Sequence, residues 1–225
     1  MQEHDRLPLS DYRQYPEEEM LERSKSFYED IRRRHSIRDF SDKPVPREII
    51  DNCIRAAGTA PSGANHQPWH FTVIGDPEIK KQVRERAEEE ERKFYDERKA
   101  GTEWLEALAP LGTDASKPFL EHAPWLIAIF VQRRGGVKSG MSGKNYYIRE
   151  SVGIATGFLI QALHNAGLVT LTHTPNPMNF LSEICERPSS DRPYILLVAG
   201  YPSEDATIPK HSTIKKPLND IVNYL

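Results

Sequence analysis

Apolar residues along this chain follow three patterns: helical spacing, strict alternation and unbroken runs. In "EEEMLERSKSFYEDIRRR", Met20, Leu21, Ser24, Phe27, Tyr28 and Ile31 fall near helical spacing and predict an amphipathic helix. "DKPVPREIIDNCIRAAGTA" predicts a second helix. Pro46 suits its first turn, Ile49, Ile50, Cys53, Ile54 and Ala57 form its stripe, and Gly58 ends it. In "WHFTVIGD", Trp69, Phe71 and Val73 alternate with His70, Thr72 and Ile74, the mark of a strand. "PWLIAIFVQ" is almost continuously apolar and predicts a strand buried on both faces. "LVTLTHT" and "RPYILLVAGYP" predict two more strands. "NYYIRESVGIATGFLIQALHNAGL" is the most apolar helical segment and is expected at the centre of the molecule.

Other stretches are polar. "DPEIKKQVRERAEEEERKFYDERKAGTEWLEAL" predicts a long charged helix or helix pair, opened by Asp76 as cap and Pro77 at the first position. "GGVKSGMSGK" reads as a flexible loop. Helices and about four strands alternate without strict βα units, so the expected class is α+β, a sheet between helix layers. A single domain, residues 1–225, accommodates all of it. Residues 1–20 form an extended arm, 76–117 a charged helical region, and 203–225 a tail long enough to reach a second subunit. There is no internal repeat.

Composition narrows the function. The chain has 225 residues and a net charge of −3, which argues against general nucleic-acid or membrane-surface binding. No apolar run approaches the roughly 20 residues needed to cross a bilayer. The N-terminus lacks the apolar region of a secretory signal. Cys53 and Cys185 stand far apart in no metal or redox spacing, so a soluble, cytoplasmic protein is expected.

Several clusters carry possible chemistry. "RRRHSIRDF" is either a basic helix end complementing the macrodipole or a phosphate clamp of guanidinium forks and a hydroxyl. "GGVKSGMSGK" is not a Walker loop. Lys138 stands where a glycine is required, and Asn145 follows Lys144 where a magnesium-binding hydroxyl belongs. No Rossmann fingerprint follows a strand. His66 and His70 are separated by Pro68 and share no helix face, so no metal site is expected. His164 reads as a hydrogen-bonded core residue. Glu91 and Tyr95 are four apart on one face of the charged helix. With Lys117 they make either a solvated face or a grip for a zwitterion. The turn "TAPSGANHQPWHF" is dense in Pro and Gly, yet it also carries Ser62, Asn65, His66 and Gln67.

The order "RRRHSIRDF", "AAGTAPSGANHQPWHF", "PWLIAIF", "HNAGLVTLTHTP", "VAGYP", "KKPL" resembles the FMN-dependent nitroreductase superfamily from Arg32 to Leu218. "GTAPSGA", "EEEERKFY" and "NAGLVTLTHTP" resemble its iodotyrosine deiodinase branch. The resemblance implies an intertwined α+β homodimer whose C-terminal extension wraps the partner, with FMN at the interface. It implies FMN phosphate and ribityl contacts from Arg34, His35, Ser36 and Arg38, with Lys215 where animal members have arginine. Pro61, Ser62 and Gly63 match the segment beside the flavin ring, and Thr172, His173 and Thr174 the segment along its edge. Thr174 corresponds to the residue that bonds flavin N5 and is the one catalytic residue implied. Ala64 N–H would meet the substrate phenolate. Glu91, Tyr95 and Lys117 match the trio that binds the amino-acid end, although the segment before Lys117 is one residue longer here. The implied activity is reductive dehalogenation of mono- and diiodotyrosine, with NAD(P)H or a reductase as electron donor. The animal members' membrane anchor is not seen. Rival readings are a general NAD(P)H nitroreductase or quinone reductase, and a non-catalytic flavin-binding protein.

Overall fold

The computed structural model describes residues 6–96, 102–138 and 140–225. Residues 1–5 of the expected arm, 97–101 of the charged stretch and Ser139 of the glycine-rich loop lie outside them. The chain divides into two compact units, Met1–Arg34 and His35–Leu225.

The first unit is built around α1 (Glu17–Ile31), which starts directly after Pro16. Glu17, Glu18 and Glu19 occupy its first turn, where negative charge complements the helix dipole. Helix therefore begins inside the stretch expected to be an extended arm.

The second unit contains α2 (Arg47–Gly58), β1 (Trp69–Ile74), α3 (Pro77–Asp96), α4 (Thr102–Leu108), α5 (Phe119–His122) and β2 (Trp125–Gln132). There follow β3 (Arg134–Gly135), β4 (Gly143–Lys144), α6 (Ile148–Asn165), β5 (Val169–His173), α7 (Asn179–Ile184) and β6 (Asp191–Gly200). The main sheet has the order β1-β2-β6-β5, and each of these pairings is antiparallel. A parallel bridge from Ser36 to Thr170 adds a mixed edge beside β5.

The unbroken apolar run of β2 has the expected consequence. Leu126, Ala128 and Phe130 join one core with residues of α3, α5 and α7. Ile127, Ile129 and Val131 join the other with residues of α2 and α6. Side chains alternate across a strand, so a strand with a core on each face needs apolar residues at both parities. Each fully buried Ile, Leu or Phe here stabilises the fold by about 1.5–3 kcal/mol relative to exposure. The sheet is thus covered by helices on both faces, the α+β arrangement expected.

Three local expectations are corrected. The loop "GGVKSGMSGK" is not simply flexible: it closes a small hairpin in which Arg134 pairs with Lys144 and Gly135 with Gly143. α6 begins only at Ile148, because Tyr147 sits at φ 50° and cannot extend the helix backward. Pro46 precedes the first helical residue of α2 instead of lying in its first turn, while Gly58 is the last helical residue, as expected.

The charged helix α3 is capped as expected: Asp76 Oδ1 accepts the backbone N–H of Glu78 at 2.9 Å and of Ile79 at 3.1 Å. Its N-terminal half is docked despite its charge. Val83 and Ala87 are fully buried, and Lys80 reaches inward to donate to the carbonyls of Glu121 at 2.8 Å and Ala123 at 2.9 Å. Arg84 Nε lies 2.8 Å from the Glu121 carboxylate. These contacts tie α3 to α5 and aim its C-terminal half past the end of β5.

Candidate active site

A cleft of about 340 Å³ opens where α3, α4 and β5 approach one another, and its wall includes Glu91, Tyr95, Lys117, Arg38, Thr172 and Thr174. Its position follows from the fold. The Ser36–Thr170 bridge and the bond from Ile37 N–H to the Thr170 carbonyl lay the segment 36–38 along β5. In parallel register Arg38 then comes beside Thr172.

The acid–phenol–lysine trio is assembled here. Glu91 Oε2 lies 3.4 Å from Lys117 Nζ, with side-chain exposures of 14% and 3%, so this is a buried ion pair rather than a solvated helix face. Lys117 also donates to Thr113 Oγ1 at 3.3 Å and to the Asp114 carbonyl. One turn before Glu91, Glu88 Oε1 accepts the Lys117 backbone N–H at 2.7 Å, which pins the lysine's loop to α3. Tyr95 donates to the Thr113 carbonyl at 3.3 Å, and Lys117 Nζ stands 5.8 Å from its ring centre. Burial pushes the Glu91 carboxyl up, with Lys117 opposing the shift through its charge and hydrogen bond. Burial is also the main cause raising the Tyr95 phenol.

Alternation divides the end of β5 and the residue after it. Thr172 and Thr174 are exposed and His173 is buried. Leu171, two residues before His173, belongs to the core under α3 and α5, and the imidazole meets Phe119 edge-on at 5.6 Å between ring centres. Desolvation, reinforced by the charges of Lys117 and Arg38, lowers the His173 pKa to about 3. It is therefore a neutral group, and its Nε2 has no hydrogen-bond partner among the described residues.

Arg38 is half-buried, and no carboxylate among the described residues pairs with it. The same side chain borders a second cavity of about 410 Å³, walled by Asp39, Pro110, Gly112 and Thr207 among others. Asp39 Oδ2 accepts the Thr207 N–H at 3.2 Å and holds the start of the tail there.

The remaining expected residues are not in this cleft. Pro61, Ser62, Gly63 and Ala64 do not line it. Their turn is built rigidly elsewhere in the unit. Ser62 Oγ accepts the Gln67 N–H at 2.9 Å. His66 Nδ1 lies 2.9 Å from Asn145 Oδ1, and Asn145 in turn donates to the Gln132 carbonyl at 2.9 Å. Ala64, Asn65 and Gln67 all have φ between 50° and 55°, a left-handed conformation costing roughly 1 kcal/mol or more per non-glycine residue. A Cβ on Gly63 would stand 3.1 Å from the Tyr146 carbonyl and from the Tyr147 ring, a tight contact that a larger residue could enter only if the segment before α6 gave way. Arg34 closes the first unit and His35 opens the second. Lys215 is exposed and donates to the Ser212 carbonyl at 2.7 Å. Leu108, Thr113 and Asn176 line the cleft but were not anticipated. Thr113 and Asn176 lie in loops and Leu108 at the end of short α4, positions with no periodic signal. Among the described residues there is no cluster of metal-ligating side chains and no helix long and apolar enough to cross a membrane.

Comparison with known proteins places this geometry. The model of the nitroreductase family matches residues 31–201. The chain is 50% identical over 196 residues to an iodotyrosine deiodinase of Haliscomenobacter hydrossis, covering 87% of this chain and 88% of that one. It is 45% identical over 217 residues to iodotyrosine deiodinase 1 of Homo sapiens, covering 96% and 74% respectively. Among solved structures, an oxidized iodotyrosine deiodinase bound to FMN and 3-iodo-L-tyrosine superposes with a TM-score of 0.73 at 30% identity, covering 88% of this chain and 97% of that chain. An FMN-dependent nitroreductase of Clostridium difficile shares the fold at 21% identity, with a TM-score of 0.59 and coverage of 87% and 96%. The chain belongs to the nitroreductase family, in its iodotyrosine deiodinase branch.

Proposed function

We propose that this chain is an FMN-dependent reductive dehalogenase of halotyrosines, converting mono- and diiodotyrosine to tyrosine and iodide. The observation that carries the reading is the convergence of Glu91, Tyr95 and Lys117 with Arg38, Thr172 and Thr174 on one cleft. An acid and a base 3.4 Å apart at one end suit the ammonium and carboxylate of an amino acid. A guanidinium without an anionic partner and two exposed hydroxyls at the other suit a phosphorylated, polyhydroxylated cofactor. FMN fits this donor set, and when bound it supplies the electrons that replace a carbon–iodine bond by carbon–hydrogen.

The chain's own groups do the rest. Arg38 and Ser36 would hold the phosphate and ribityl part of FMN, and Thr174 would hold the flavin ring at N5. Glu91 accepts the substrate ammonium, Lys117 donates to its carboxylate, and Tyr95 covers both. The C-terminal half of α3 acts as a lid that excludes water. The Ala64 N–H donates to the phenolate, which favours halotyrosines because their phenols are more acidic than that of tyrosine.

Ala64 does not line the cleft of its own chain, so the reading includes a homodimer in which a second copy brings the 61–64 turn to it. Apolar groups left exposed on the single chain support this: Ile154 and Phe158 one turn apart on α6, and Ile214, Leu218 and Ile221 in the tail. Two free cysteines are consistent with work in the reducing cytoplasm.

Titration of the oxidised yellow protein with 3-iodotyrosine, followed by flavin fluorescence with tyrosine as control, tests the proposal. Strong quenching by iodotyrosine alone is expected. Flavin present but unquenched would overturn the halotyrosine reading in favour of a general FMN nitroreductase.

A further inference from the structure

The reaction proposed above takes its electrons from outside the chain, and one surface has the character of an entry point for them. Between Gln132 and Arg149 the sequence carries five cations, Arg133, Arg134, Lys138, Lys144 and Arg149, and no carboxylate. This is unexpected in a chain of net charge −3. The β3–β4 hairpin gathers Arg133, Arg134 and Lys144 with Ser190 around a hollow of about 270 Å³. The two arginines are fixed without being neutralised. Arg133 donates to the carbonyls of Ser189 at 2.8 Å and Ser190 at 3.2 Å, and Arg134 to that of Ser142 at 3.2 Å. No carboxylate among the described residues pairs with any of the three.

The hairpin is also joined to the turn assigned to the flavin. Buried Asn145 donates its backbone N–H to the Arg133 carbonyl at 3.0 Å and its side-chain amide to the Gln132 carbonyl, while its Oδ1 meets His66. The same hairpin and its exit expose Val137, Met141 and Tyr146. Apolar groups among cations make a surface for a protein rather than for a small anion. A second copy is the poorer occupant, because a twofold contact centred here would set the cations against themselves.

We propose that the β3–β4 hairpin is the docking surface for an acidic one-electron carrier protein that reduces the bound flavin. Such redox encounters are small and steered by charge. Two deliveries balance one turnover. The carbon–iodine bond breaks and iodide leaves. The ring carbon takes one proton and the electron pair, and two carrier molecules are oxidised. The proposal rests on the assignment of the 61–64 turn to FMN, but its test needs no halotyrosine, so the two fail separately.

The probe is a plant-type [2Fe–2S] ferredoxin kept reduced by its NADPH-dependent reductase, mixed anaerobically with the flavin-loaded protein while flavin absorbance is followed. Reduction is expected to be fast at low salt and to slow steeply as salt is raised. The variant Arg133→Glu/Arg134→Glu/Lys144→Glu should react at least about tenfold more slowly and bind oxidised ferredoxin about tenfold more weakly by calorimetry. Its reduction by dithionite and its flavin content should be unchanged. Lys138→Glu/Lys144→Glu, which removes no hydrogen bond of the hairpin, should show the same trend if the triple variant is unstable. A salt-independent rate, or charge-reversed variants reduced as fast as the parent, would overturn the proposal. So would a changed oligomeric state with an unchanged ferredoxin rate, which would assign the surface to a second copy.

Discussion

The two halves of α3 are made of the same charged residue types and face different tasks. In the first half, Lys80 spends its ammonium on two backbone carbonyls, and Val83 and Ala87 fill the core. In the second, Glu91 and Tyr95 point to a cleft, and the partner of the buried charge is another side chain, Lys117. A lysine that satisfies backbone is committed to the fold. An acid paired to a lysine across an open cleft can exchange that partner for a ligand. Charge content alone does not separate the two, and the identity of the partner does.

The largest effect should come from the distal half. In Glu91→Gln the affinity for 3-iodotyrosine, read by flavin quenching, should fall about 100-fold, or ~2.7 kcal/mol. The amide oxygen still accepts from Lys117 but no longer balances its charge, so some loss of melting temperature is expected and the affinity is read on protein that remains folded. Unchanged affinity would erase the distinction between the halves. Binding should also weaken on acidification at a higher pH than an ordinary glutamate would give, because burial raises the Glu91 pKa and only the carboxylate pairs with an ammonium.

The proximal half should behave in the opposite way. Lys80→Met keeps the stem and leaves two carbonyls unpaired, so urea unfolding should show a loss of about 2 kcal/mol while halotyrosine affinity stays within threefold. A variant that folded normally but bound poorly would mean that Lys80 serves the site.

The smallest effect, reckoned per pH unit, sharpens the boundary between them. His173, packed on Phe119 beneath the lid, has its pKa lowered to about 3 from 6.5. Between those values the unfolded chain takes up a proton that the folded chain excludes, so acidification favours unfolding. Stability should fall by up to about 1.4 kcal/mol per pH unit below pH 6.5. That slope should be absent from His173→Gln when the two proteins are compared by urea unfolding across pH 4.5–7.5.

The main elements were legible because their apolar patterns are long. β1, α2 and α6 contain enough alternations or turns to declare a period, and the long apolar runs of β2 and β6 mark buried strands. α5 and α7, with four and six residues, are too short to show one, and the β3–β4 hairpin rests on two-residue strands within a glycine-rich run. In the site, Glu91 and Tyr95 were visible as neighbours because helical spacing is local. Lys117 could be offered as their partner from the residues but not placed beside them, since its position is set by a nonlocal bond from its backbone to Glu88. Arg38 reaches Thr172 through a single parallel bridge that no period announces. The turn that the resemblance sets beside the flavin ring shows the same limit. Its three left-handed non-glycine residues show a strain that residue names do not reveal.

Arg38 stands in the wall of both cavities at the end of β5, and this gives the molecule a form of thermodynamic linkage. The two chambers share one guanidinium, so they are coupled to the extent that a ligand in either one draws Arg38 toward it. A ligand that draws Arg38 toward one chamber alters the shape and the charge offered in the other. Reciprocity requires that the occupant of the second change the affinity of the first by the same factor.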